Sequence, residues 1–196
     1  MINLSKGQRV DIGKGLQQVG IGLGWDPNDG TGADFDLDAS AFMLASSGKI
    51  PSEAHLVFYN TDKKDPATGR PISPDGAILG AEDDTTGAES DGDDDETIDI
   101  TFAKIDASIA EIILVATIHD YVERKQNFGQ VRNSYIRIFD AISNEEICKY
   151  ELDEDFSVES AVEFGRLYRK DGGWKFEAIG RGYEGGLQTF VKKYIS

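Results

Sequence analysis

The chain has 196 residues, 39% hydrophobic and 10% aromatic, with a formal net charge of −16. That is enough apolar material for a substantial core, and the length suits one domain over residues 1–196. The negative charge argues against a nucleic-acid partner, the single cysteine excludes a disulfide framework or cysteine-rich zinc site, and no stretch reaches the roughly 20 apolar residues of a membrane span.

The N-terminal segment MINLSKGQRVDIGKG lacks the apolar h-region of a signal peptide, so a cytoplasmic location without direct membrane insertion is expected. Gln18–Trp25 reads as a glycine-laced strand, Ala39–Leu44 as a second and Ala54–Tyr59 as a third. Thr97–Phe102 alternates apolar and polar residues, as a half-buried strand does, and Ile112–Ile118 is a continuous apolar run that suits a strand covered on both faces. Ser134–Phe139 and Glu146–Tyr150 form a predicted hairpin, and Trp174–Ile179 follows an Asp-Gly-Gly turn. Two segments read as helices: Val158–Tyr168, from the spacing of Val158, Ala161, Val162, Phe164 and Leu167, and Leu187–Tyr194, with lysines near its end. Frequent turns between short strands predict an all-β fold, a β-sandwich of two packed, mostly antiparallel sheets with a few short helices.

The acidity is local. Glu82–Glu96 holds nine carboxylates and Asp26–Asp38 five, with no Lys or Arg in either, and the remainder of the chain carries only about −2. Such density calls for a neutralising cation, the competing reading being a solvated, self-repelling loop. If residues 34–38 are extended, Asp34, Asp36 and Asp38 share one face and Phe35 and Leu37 point to the core, with successive carboxylates about 7 Å apart. Turn or cap bonding to backbone amides is the bland alternative for Asp36 and Asp38. Hard oxygen donors select Ca²⁺ or Mg²⁺, and many carboxylates in Gly-rich turns favour Ca²⁺ with its loose geometry. An EF-hand fails in both registers: from Asp34 it places Ala39 and Ala45, and from Asp91 it places Glu96 and Phe102, where the turn glycine and bidentate Glu belong. Asp26 closes the first glycine-rich strand near the same end and is a further candidate ligand.

Read in order, GLGWD (22–26), DFDLDASAF (34–42), FYN (58–60), SPDG (73–76), the acidic loop, TIHD (117–120), FGQV (128–131) and WKFEAIGRGYEGG (174–186) resemble the TerD family of tellurite-resistance and general stress proteins over nearly the whole chain. The resemblance implies a bacterial cytoplasmic calcium-binding β-sandwich without established catalysis, associated with resistance to tellurium oxyanions and chemical stress. More than one Ca²⁺ is expected. Protein partners are expected too, in a membrane-associated complex of the tellurite-resistance system. It carries a ligand role onto Asp83, Asp84, Asp94, Asp95 and Glu96, and onto Asp36, Asp38, Asn60 and Asp75. The loop departs from the family pattern: Glu82 stands for the leading Gly, Asp84 for Asn, and a spacer about two residues longer leaves Asp91, Asp93 and Asp94 as competing ligands.

Other signals have structural readings. His119 and Asp120 would face opposite sides of a strand and make poor catalytic partners. His55 reads as a rim residue and Trp25 and Trp174 as core anchors. Cys148 reads as a small packed residue more than a tellurite-capturing thiol. The GIGLG run at 20–24 lacks the helix and βαβ context of a nucleotide fingerprint, so close backbone packing explains it better. The alternative function is a metal-dependent hydrolase of phosphoesters using the same carboxylates, with neither a nucleophile–base pair nor a phosphate-cradling loop to support it. The third is an interaction module whose acidic face docks a partner, directly or through Ca²⁺.

Overall fold

The computed structural model describes residues 6–12, 15–28, 30–82, 84–86, 94–152 and 156–195. Its strands form two antiparallel sheets. The six-stranded sheet runs in the order β1 (Arg9–Ile12), β11 (Gly173–Tyr183), β10 (Ala161–Lys170), β7 (Ile109–Ile118), β3 (Leu37–Ala45) and β4 (Leu56–Val57). The five-stranded sheet runs β5 (Ile78–Leu79), β6 (Glu96–Thr101), β2 (Gln18–Gly24), β8 (Tyr135–Asp140) and β9 (Glu146–Glu151).

The apolar pattern dictates this packing. On β6, Glu96, Ile98 and Ile100 are buried and the residues between them are half-buried, the alternation expected of a sheet with one wet face. The continuous apolar run of β7 is covered twice: Ile112, Leu114 and Ala116 join the core between the sheets, while Ile113 and Val115 join a second cluster with Phe42, Phe190 and Tyr194. The two aromatics Phe190 and Tyr194 come from helix α2 (Leu187–Tyr194), which forms where its sequence predicts and lies on the outer face of the six-stranded sheet. Lys49 Nζ and the Ile50 amide satisfy carbonyls at its end, those of Lys193 and Tyr194.

The glycines of β2 serve close approach. A Cβ on Gly20 would lie 2.1 Å from the Phe139 ring, on Gly22 2.1 Å from the Asp94 carboxyl, and on Gly24 2.5 Å from the Tyr135 ring. Bare backbone on one face of β2 thus leaves a trench that β8 and the base of the acidic loop fill.

Several segments differ from expectation. The predicted helix over Val158–Tyr168 is strand β10. Its pairing register with β7 and β11 shifts between Glu163 and Gly165, so a bulge lengthens the core spacing from two residues (Val162, Phe164) to three (Phe164, Leu167) and mimics a helical period. Gly165 is required there because a Cβ would lie 2.2 Å from the Phe176 ring. Within Ala54–Tyr59 only Leu56–Val57 is a strand, since a 3₁₀ turn over Glu53–His55 takes its start. Strand β1 has no counterpart in the sequence reading, because an edge strand with charges at Arg9 and Asp11 carries little apolar signal.

Candidate functional site

Strand direction brings the acidic segments to one end of the sandwich. In the five-stranded sheet the end of β2 pairs with the starts of β6 and β8, Leu23 opposite Glu96 and Gly24 opposite Tyr135. In the other sheet the start of β3 pairs with the end of β7, Leu37 opposite Ile118. A hydrogen bond joins the two sheets at this rim, from the Ala39 amide to Glu96 Oε2 at 2.6 Å.

Four carboxylates of the rim are nearly removed from water: Asp36 at 5% exposure, Asp38 at 4%, Asp84 at 4% and Glu96 at 3%. Burying a carboxylate costs several kcal/mol unless charge or hydrogen bonds compensate it. As the alternation predicts, Phe35 and Leu37 enter the core and Asp36 and Asp38 face away from it. Asp36 Oδ2 lies 3.4 Å from Arg124 Nη1, on the short helix α1 (Tyr121–Arg124) that follows β7. Asp38 Oδ2 lies 3.7 Å from His119 Nδ1. Glu96 reaches β3 from the opposite side, out of the core face of β6, so the strand-borne and loop-borne carboxylates meet β3 on its two faces.

The base of the acidic loop is tied by its own carboxylates. Arg137 Nε donates to both Asp94 oxygens, at 2.8 and 3.0 Å, and the Tyr135 hydroxyl donates to Oδ1 at 3.1 Å, with the carboxyl seated over Gly22. The hydrogen bond to Asp94 holds the Arg137 guanidinium above its ordinary pKa, and burial, then the Asp94 charge, raises that of Tyr135. Asp95 Oδ2 accepts from the Trp25 amide at 2.8 Å, and the Trp25 indole donates to the Phe35 carbonyl at 3.1 Å, which links β2, β6 and the segment before β3. Asp84 Oδ1 accepts from the amide and hydroxyl of Thr86. Asp26, half-buried, accepts from Asn133 at 2.6 Å.

The structure does not gather every predicted ligand. Asp75 lies at the other end of β6, where it closes the Ser73–Gly76 turn by accepting from Ser73 and Ala77 and fastens that turn to the Asp106 amide at 2.9 Å. Asn60 is exposed in the turn after β4. Asp83, Asp91 and Asp93 lie outside the described residues. Among the described residues no group of three or more His, Cys, Asp or Glu side chains is arranged to hold a metal ion. In donor chemistry the rim nevertheless suits a hard cation, since its buried acidic groups are all carboxylate oxygens.

His119 corrects the sequence reading. Strand β7 ends at Ile118, and Asp120 adopts the left-handed region at φ 50°, so its Oδ2 comes within 3.5 Å of His119 Nε2 instead of facing away. The imidazole thus stands between Asp38 and Asp120, with the Tyr59 ring edge-on at 5.6 Å. Sequence reasoning also missed Arg124 and Arg137. Arg137 could have been found, because it alternates along β8 with Tyr135 and Phe139, in register with the glycines of β2. Cys148 is buried, and burial, then the Glu146 charge, pushes its thiol up to about 12.

The fold and rim define a two-sheet β-sandwich with an acid-lined end. The TerD domain family matches residues 1–194, and the chain belongs to that family. It is 45% identical over 198 residues to general stress protein 16U of Bacillus subtilis (strain 168), covering 98% of this chain and 96% of that protein. It is 43% identical over 196 residues to tellurium resistance protein TerD of Alcaligenes sp, with the same coverage of 98% and 96%. A solved homologue of telluride resistance protein (TerD) from Streptomyces coelicolor A3(2) superposes with a TM-score of 0.71 at 22% identity, over 90% of this chain and 96% of that one, which shows the shared fold.

Proposed function

We propose that this protein is a noncatalytic calcium-binding module of the bacterial response to tellurium compounds and chemical stress, acting in the cytoplasm through protein partners. Two relatives named for tellurium resistance and general stress support the response. The observation that carries the calcium reading is the burial of Asp36, Asp38, Asp84 and Glu96 at one rim. Bound Ca²⁺ would neutralise and order carboxylates that otherwise repel one another. More than one ion is expected, with Asp83, Asp91 and Asp93 as further candidate ligands. Membrane insertion is no part of this reading: among the described residues no helix is long and apolar enough to cross a bilayer.

Calorimetric titration of chelator-treated protein with Ca²⁺ and Mg²⁺ tests the proposal. Saturable heat with Ca²⁺, weaker with Mg²⁺, is expected, and absence of heat and of stabilisation with either ion would sink it. A second reading, a metal-dependent phosphoesterase, would need His119 to turn one ring nitrogen away from the carboxylates that face both of them, Asp38 at 3.7 Å from Nδ1 and Asp120 at 3.5 Å from Nε2. Turnover of p-nitrophenyl phosphate that is lost in His119→Gln would favour it.

A further inference from the structure

Beside the rim, on the face of the six-stranded sheet that carries α2, a half-open cleft of about 360 Å³ lies between the end of β7, helix α1 and the start of α2. That volume falls in the range of small-molecule sites. Three carboxylates, Asp38, Asp120 and Glu123, line it with His119, and no lysine or arginine does. Thr117, Gly186 and Gln188 complete the lining with a group of aromatic and apolar side chains, of which Tyr59 at 40% and Val122 at 66% are among the four large hydrophobic side chains exposed among the described residues.

We propose that this cleft binds a small organic cation, an ammonium or guanidinium group on a short apolar stem. The carboxylates supply the charge. Asp38, buried, and Asp120, about half in solvent, flank His119 on the lining, and Glu123 adds a third carboxylate, so a cation in the cleft meets a negative potential. Tyr59 and Tyr121 offer ring surfaces for cation–π contact, and Val122 and Leu187 cover an alkyl stem. An inorganic divalent ion would use the oxygens and leave this apolar half without a partner. An anion would meet three like charges. The start of α2, the backbone of Gly186–Gln188, contributes about half a positive charge at most. Asp120 also holds the left-handed conformation that L-residues adopt at a cost, which aims its carboxylate at His119 and into the cleft.

The inference shares Asp38 with the calcium reading, but its test rests on Tyr59 and Asp120, which lie outside the predicted ligand set, so failure of one is distinguishable from failure of the other. The test is calorimetric titration of the chelator-treated full chain with putrescine and agmatine, with succinate as the anionic control. Saturable binding of the amines is expected, weakened about tenfold by Tyr59→Leu and by Asp120→Asn. Asp120→Asn keeps a residue that tolerates the left-handed backbone, and both exposed positions leave the core intact, so unchanged unfolding curves and unchanged calcium titrations should accompany the loss. A terminally blocked lysine separates sources of the same chemistry: tighter binding than putrescine assigns the cleft to a side chain of a protein partner, and weaker binding to a free amine. No amine binding, equal affinity for succinate, or full affinity in both variants would overturn the proposal.

Discussion

Among the described residues carboxylates are buried at two places in this sandwich, and the two are provided for differently. Glu163, on β10 beneath α2, has both oxygens taken by neighbours: Oε1 accepts from the Tyr194 hydroxyl at 2.6 Å, and Oε2 from Lys193 Nζ at 2.5 Å and the Tyr183 hydroxyl at 2.9 Å. One charge meets one charge. At the rim, Asp36 faces Arg124, Asp94 is held by Arg137 and the Tyr135 hydroxyl, Asp38 lies near His119, Glu96 accepts from the Ala39 amide and Asp84 from the amide and hydroxyl of Thr86. The Glu163 cluster is complete as built and ties a helix to a sheet. The rim spreads its carboxylates over partners from several segments, and it is this end of the sandwich that the calcium proposal concerns.

The largest expected effect falls on the self-sufficient cluster. Lys193→Met should lower the unfolding free energy by about 3 kcal/mol in urea titrations, at the lower end for breaking a buried pair because the Lys193 side chain keeps 36% of its surface in water. A loss below about 1 kcal/mol would place Glu163 in the screened regime of surface pairs and remove the contrast. Next comes the rim: at a calcium concentration about 100 times Kd the fold should gain about 2.7 kcal/mol, or about 5–10 °C in Tm, and Asp38→Asn with Glu96→Gln should abolish most of that gain. Equal stabilisation of Asp38→Asn/Glu96→Gln and the parent chain would mean that the buried rim carboxylates are structural, like Glu163. Gly22→Ala should cost about 2 kcal/mol, since its Cβ would sit 2.1 Å from the Asp94 carboxyl, and should weaken calcium binding by displacing the loop base.

The smallest effect concerns Cys148, which belongs to neither group. With its thiol raised from an ordinary value near 9 to about 12, the folded state holds its proton more tightly than the unfolded chain. The resulting contribution to stability is full below about pH 9 and is lost as pH rises towards about 12. Alkylation by iodoacetamide at pH 8 should therefore be very slow until urea unfolds the chain. Rapid alkylation of the folded chain would reopen a thiol role in tellurium chemistry.

Much of this arrangement is legible in the sequence wherever burial imposes a simple period. The alternation of Thr97–Phe102 and the unbroken run of Ile112–Ile118 gave strands within a few residues of β6 and β7, and the residue-by-residue alternation of 34–38 placed Phe35 and Leu37 in the core and Asp36 and Asp38 away from it. The bulge in β10 defeated the same logic, because an inserted residue makes two-residue spacing look helical. His119 and Asp120 defeated it again, since alternation holds only while the strand continues and β7 had already ended. Spacing could not assign Asp75 to the far end of β6, because that placement follows from how β5 pairs with β6. The pairing of Asp94 with Arg137 depends likewise on two strands distant in sequence meeting through β2.

The glycine trench of β2 also acts as a ruler during assembly. Gly20, Gly22 and Gly24 match Phe139, the Asp94 carboxyl and Tyr135 one for one, and the intervening Ile21 and Leu23 fill the core. Sliding β2 by a single residue against β8 would drive branched side chains into the rings and turn bare backbone toward the interior, so mispaired forms are excluded by volume as well as by exposure. Correct threading of the central strand therefore also opens the seat over Gly22 that the Asp94 carboxyl fills.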